Sequence, residues 1–78
     1  MSMLSRLFKK PESELDRIID EIKVNLENNY KSVAHAARER LGTRTEELFS
    51  LGKINEDKYR YYKRIYEEYT QKMRNYHH

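Results

Sequence analysis

The sequence predicts an all-α chain: a long helix over about 13–41, a short helix over about 44–51 and a long helix over about 55–76, folded as an antiparallel helical hairpin or small bundle. Three observations carry that reading. Pro11, Gly42 and Gly52 are the only proline and glycines in 78 residues, so long stretches run without a helix breaker. A stripe of apolar residues at helical spacing fills the first stretch, and a seam of tyrosines at heptad spacing fills the last.

The first helix is expected to open after Pro11, with Ser13 as N-cap and Glu14 and Asp16 at the positive end of the helix dipole. Its stripe comprises Leu15, Ile19, Ile22, Leu26, Tyr30, Val33, Ala37 and Leu41, an 11-residue recurrence. That period, about 3.67 residues per turn, keeps one face aligned on a nearly straight helix. Asn28-Asn29 is the weak point, being two mediocre helix formers. The stripe stays in phase across them, so one continuous helix of roughly 43 Å is expected. Gly42 is expected to end it in a left-handed conformation. Thr43-Arg44-Thr45-Glu46 then has capping-box spacing for the short helix, which buries Leu48, Phe49 and Leu51 and stops at Gly52. Ile54 anchors the turn, and Asn55 caps the last helix with Glu56 and Asp57 behind it. There Tyr59, Tyr62, Tyr66, Tyr69, Met73 and Tyr76 step by threes and fours, the spacing that packs one helix face on a partner. The expected core is Ile19, Ile22, Leu26, Tyr30, Val33, Ala37, Leu41, Leu48, Leu51, Ile54, Tyr59, Tyr62, Tyr66, Tyr69 and Met73.

Residues 46–69, with Leu48-Phe49-Ser50-Leu51-Gly52-Lys53-Ile54-Asn55 at their centre, resemble the short C-terminal domain (SHOCT) helical hairpin. Gly52 and Ile54 match that family's pattern, Asn55 replaces its capping threonine and Lys58 an expected acid. Tyr59 takes the aromatic position and Lys63 the lysine. The resemblance implies an association module without chemistry of its own, and it carries over no site residues.

Composition narrows the function classes. Sixteen Lys and Arg against 13 Asp and Glu leave a net charge of +3, and only 37% of residues are hydrophobic, seven of them tyrosine. A chain this short buries a modest share of its surface, so a large enzyme fold with its own cleft is not expected. There is no apolar run long enough for a spanning helix, no cysteine for a disulfide or thiolate metal site, and no secretory signal in MSMLSRLFKKP. The expectation is a small cytoplasmic protein: residues 1–11 a basic amphipathic tail, residues 12–78 a single helical domain.

Candidate chemistry is sparse. His35 and Glu39 share a helix face, yet a metal needs three or four ligands; His77 and His78 are given no functional weight. Glu12, Asp16 and Asp20 form an acidic edge, read as a solvated face that meets a basic partner helix. No catalytic residue, cofactor or metal is expected. Charge alternates by segment, and this suggests that the acidic first helix lies near the basic third.

Nucleic-acid binding is the competing reading. Arg60, Tyr61, Lys63 and Arg64 interleave bases with aromatics, as single-stranded ligands require. A helix-turn-helix over Val33 to Leu51 is a weaker version, because Arg38 and Thr43 occupy positions that should be apolar or small. Leu4, Leu7 and Phe8 with Lys9 and Lys10 form a short amphipathic stretch suited to an anionic membrane surface. The leading expectation is a non-enzymatic interaction or regulatory module. Part of the long first stripe would stay uncovered in a monomer, so a homodimer or higher helical assembly is expected.

Overall fold

A computed structural model describes residues 10–74 as three helices with no strand among them: α1 (Pro11–Glu27), α2 (Lys31–Ser50) and α3 (Glu56–Arg74). The all-α expectation holds; the division into helices differs. α1 starts two residues before Ser13, because Pro11 sits in the first turn, where its missing N–H costs nothing. Lys10 is the extended N-cap, and its carbonyl accepts from the Ser13 N–H at 3.0 Å.

The expected continuous helix breaks at Asn28-Asn29-Tyr30. Asn29 adopts φ 66°, a left-handed conformation that asparagine tolerates better than most residues. The Tyr30 N–H then reaches the Asn25 carbonyl at 2.7 Å, and the Asn29 N–H reaches that of Leu26 at 3.1 Å. These two bonds form a Schellman motif with asparagine in the usual glycine place. An in-phase stripe suits a straight helix and a helical hairpin equally well. Here the two halves fold against each other, burying Leu15 and Ile22 together with Ala37 and Leu41.

Gly42 does not stop a helix. It lies inside α2, and a Cβ built on it would sit 2.8 Å from Tyr66 Cε1 of α3. Its missing side chain accommodates an aromatic ring where a helix terminus was expected. Residues 44–51 are therefore the end of α2 rather than a helix of their own, and a helix-turn-helix over Val33 to Leu51 is excluded because no turn interrupts α2. Substituting Gly42→Ala is expected to destabilise the protein by about 1 kcal/mol, although alanine is the better helix former. In a Tyr66→Ala background the same change should instead stabilise by up to about 1 kcal/mol, and a denaturant double-mutant cycle reads the change of sign.

The second turn repeats the first with a glycine. Gly52 takes φ +73°, the Lys53 N–H reaches the Leu48 carbonyl at 2.8 Å and the Gly52 N–H that of Phe49 at 3.0 Å. Ile54 is buried beneath this turn, and Asn55 Oδ1 accepts from the Lys58 N–H at 2.9 Å, capping α3 as expected.

α2 is the central element, packing against both α1 and α3. Leu15, Ile18, Ile22, Ala37, Leu41, Leu48, Ile54 and Tyr62 form the core, with Tyr59, Tyr66 and Tyr69 half-buried against it. Three expected core residues are exposed instead. Tyr30 is in the α1–α2 turn, Val33 in the first turn of α2, and Leu51 is the C-cap of α2. Ile18, Ala34 and Thr45 are buried without having been expected. Tyr76 lies outside the described residues.

Candidate functional site

Two antiparallel turns bring α1 and α3 to the same side of α2, running parallel. Their backbones barely approach each other, and a groove of about 560 Å³ lies between them. Its apolar lining comes from Ile19 of α1 with Tyr61, Ile65 and Tyr69 of α3. Asp16 and Asp20 line the α1 side, followed one turn on by Lys23; Glu68 and Lys72 line α3. The α1 rim thus runs from acid to base along the groove.

Tyr62 lies beside the acidic end of the groove, bonded to Asp16 of its rim. Its ring is buried, and its hydroxyl donates to Asp16 Oδ1 at 2.8 Å. Burial, reinforced by that carboxylate, pushes the Tyr62 phenol above its ordinary range. The Tyr61 ring stands edge-on to it at 4.9 Å and is half exposed to solvent. Burial likewise raises the Tyr69 phenol, with the Glu68, Asp20 and Glu27 charges adding to it.

The outer surfaces of the helix pairs are tied by charge. Arg44 forms a two-pronged pair with Glu14, at 2.7 and 2.9 Å, and holds the Glu14 carboxyl below the usual carboxylate range. Arg40 pairs with Glu21. On the other side Glu46 accepts from Lys63 at 3.0 Å and from the Tyr59 hydroxyl at 2.9 Å; these bonds lower the Glu46 carboxyl and raise the Lys63 ammonium. The acidic α1 therefore finds its guanidinium partners on α2, where the charge pattern suggested α3. Such half-exposed pairs contribute at most about 1 kcal/mol each, yet they set which helix neighbours which.

The sequence-nominated cations do not form one cluster. Lys63 is turned toward Glu46 and the Tyr66 ring, and Arg60 pairs with Glu56 at 3.2 Å. Arg64 and Tyr61 are exposed on α3, with Glu67 and Glu68 in the next turn. His35 and Glu39 are exposed, and Glu39 faces Arg38 at 3.3 Å. Among the described residues no group of three His, Cys, Asp or Glu could hold a metal ion, and no helix is long and apolar enough to cross a membrane. Of the amphipathic stretch, Leu4, Leu7, Phe8 and Lys9 lie outside the described residues; Lys10 is exposed at the start of α1.

Sequence reasoning missed Arg38. Its side chain is mostly buried between α2 and α3, donating to Thr70 Oγ1 at 3.1 Å with its guanidinium 5.6 Å from the Tyr66 ring centre. Lys63 stands 5.4 Å from the same ring. Gly42 gives Tyr66 its place between them. One of three arginines on an alanine-rich helix gives no sign of this, since the partners come from 28 and 32 residues away.

These features define an all-α fold in which the described residues form three helices, with an open groove between α1 and α3. Compared with family models, curated proteins and solved structures, the chain gives no match.

Proposed function

We propose that the protein is a small non-enzymatic interaction module that associates through the groove between α1 and α3. One observation carries the reading: the groove is self-complementary. Its apolar middle, Ile19, Ile65 and Tyr69, is flanked on α1 by acid at one end (Asp16, Asp20) and base at the other (Lys23), with Lys72 on the facing rim. A second copy turned about a two-fold axis sets acid against base at both ends and apolar surface against apolar surface between them. The SHOCT-like hairpin of residues 46–69 supports the same expectation of association.

Most of the first stripe, expected to need another chain, is covered by the chain's own hairpin at Asn29, while Tyr30 and Val33 stay exposed. The groove is one apolar surface that stays open among the described residues. Light scattering on the full chain from micromolar to millimolar concentration tests the proposal. Molar mass should rise with concentration, and Ile19→Asp with Ile65→Asp should abolish the rise. A compact monomer throughout, or equal association by the double variant, would refute it.

A further inference from the structure

We infer that Tyr61 anchors the pairing: the ring of each copy enters a pocket at the far end of the other copy's groove. The inference rests on reading the groove as the association surface, and it names the side chain that fixes the register in which two copies meet.

The protruding ring comes first. Tyr61 is 53% exposed, whereas Tyr59, Tyr62, Tyr66 and Tyr69 on the same helix are buried or half-buried. It lies off the seam that packs α3, at the acidic end of the groove beside Asp16. Tyr62 braces it edge-on at 4.9 Å, so the ring is held in place with apolar surface left open. A large ring already held loses little freedom on docking, and aromatic anchors of this kind dominate interfaces.

The receiving pocket comes second. At its basic end the groove continues into a pocket of about 300 Å³, lined by Lys23, Leu26 and Glu27 of α1 with Tyr69 and Lys72 of α3. A cavity of about 150 Å³ already takes benzene, so one tyrosine ring has room. Leu26 and Tyr69 are half-buried and supply the apolar surface. Lys72 Nζ stands 5.8 Å from the Tyr69 ring centre, and a second ring against it adds a further cation–π contact. The Glu27 carboxylate is an acceptor for the phenol O–H.

Ring and pocket cannot meet within one chain. Both sit on α3, and Tyr61 precedes Tyr69 by about 12 Å along the helix axis. The two-fold turn that sets acid against base reverses the groove, and so carries each Tyr61 to the other copy's pocket. Asp16 travels with it and faces the pocket's Lys23 and Lys72. Two rings are seated at once, one at each end, with Ile19 and Ile65 of both copies between them. A two-fold axis along the groove would instead bring the two Tyr61 rings together and set acid on acid.

Tyr61→Ala should weaken self-association on the order of ten-fold or more, as truncating an aromatic anchor does, and Tyr61→Phe far less. The ring is on the surface, so circular dichroism and the urea midpoint should stay near wild type, which separates lost docking from lost folding. Register is read from nuclear Overhauser effects filtered to pass only contacts between an unlabelled and a carbon-13-labelled copy. Tyr61 ring protons should reach the Leu26 methyls of the other copy. Contacts between the two Tyr61 rings, or none to Leu26 under associating conditions, overturn the proposal, as does equal association by wild type and Tyr61→Ala. Equal association with binding to oligodeoxythymidine lost in Tyr61→Ala also overturns it, and assigns the ring to base stacking. If Tyr61→Ala has no effect while Ile19→Asp with Ile65→Asp still abolishes association, this inference alone falls; a monomeric wild type removes the groove reading with it.

Discussion

Truncating Leu41→Ala is expected to lower the unfolding free energy by about 3 kcal/mol, while Leu51→Ala should change it by less than about 0.5 kcal/mol. The chemical change is the same in both. Leu41 is fully buried in the core, so the change leaves a cavity among Leu15, Ile22 and their neighbours as well as removing apolar surface from the interior. Leu51 is 65% exposed at the end of α2, and water already covers most of what the truncation removes. Urea unfolding of the two variants checks the contrast. Equal costs would show that α2 ends elsewhere and that Leu51 belongs to the core.

The second large effect is at Tyr62. Tyr62→Ala should cost about 3 kcal/mol, because its ring is 2% exposed and fills the space between α1 and α3. Tyr62→Phe keeps the ring and loses only the hydrogen bond to Asp16, so a cost of about 1 kcal/mol is expected. Asp16 lies on the surface and regains water. A pH dependence follows. The Tyr62 phenol is raised in the folded protein above its ordinary value of 10.0, so folding favours its protonated form. Its contribution is complete below pH 10 and is lost as pH rises through the higher folded value. Wild-type stability should fall on the alkaline side, and Tyr62→Phe should flatten that fall. On the acid side Glu14 and Glu46 behave oppositely: their lowered carboxyls contribute above the ordinary 4.5 and lose that contribution as pH falls through their folded values.

Helix content was legible because proline and glycine occur at only three positions and because the tyrosine seam has a clear period. Tyr62 and Met73 are buried on that seam, and Tyr59, Tyr66 and Tyr69 are half-buried. The turn at Gly52 and the Asn55 cap were legible too, since both follow from local chemistry that the chain carries within five residues.

What was not legible depended on distant partners. Asn29 and Gly42 exchanged the roles that propensity assigns them. Periodicity is blind to a hairpin that returns in phase, so nothing local distinguishes a straight stripe from one folded at Asn29. Gly42 is inside a helix because Tyr66, 24 residues away, occupies the space its side chain would need. Thr45 is fully buried although its hydroxyl has no hydrogen-bond partner, an arrangement that no polarity pattern points to. The groove could not be read either: its sides come from residues 16–23 and 61–72, related only through the two turns. Once those turns are known, the acidic edge at Asp16 and Asp20 acquires a place.

In the proposed association two copies meet through this groove about a two-fold axis, acid to base. Charge reversal in mixtures tests it most directly. Asp20→Lys alone sets lysine against Lys72 at both ends of the pair, and Lys72→Glu alone sets glutamate against Asp20. In an equimolar mixture each end again joins opposite charges, one of them the unaltered Asp20–Lys72 combination. Light scattering at low salt should find each variant monomeric where the wild type associates, and the mixture restored to the mass of a dimer. Identical masses for both variants, their mixture and the wild type would contradict association through the groove.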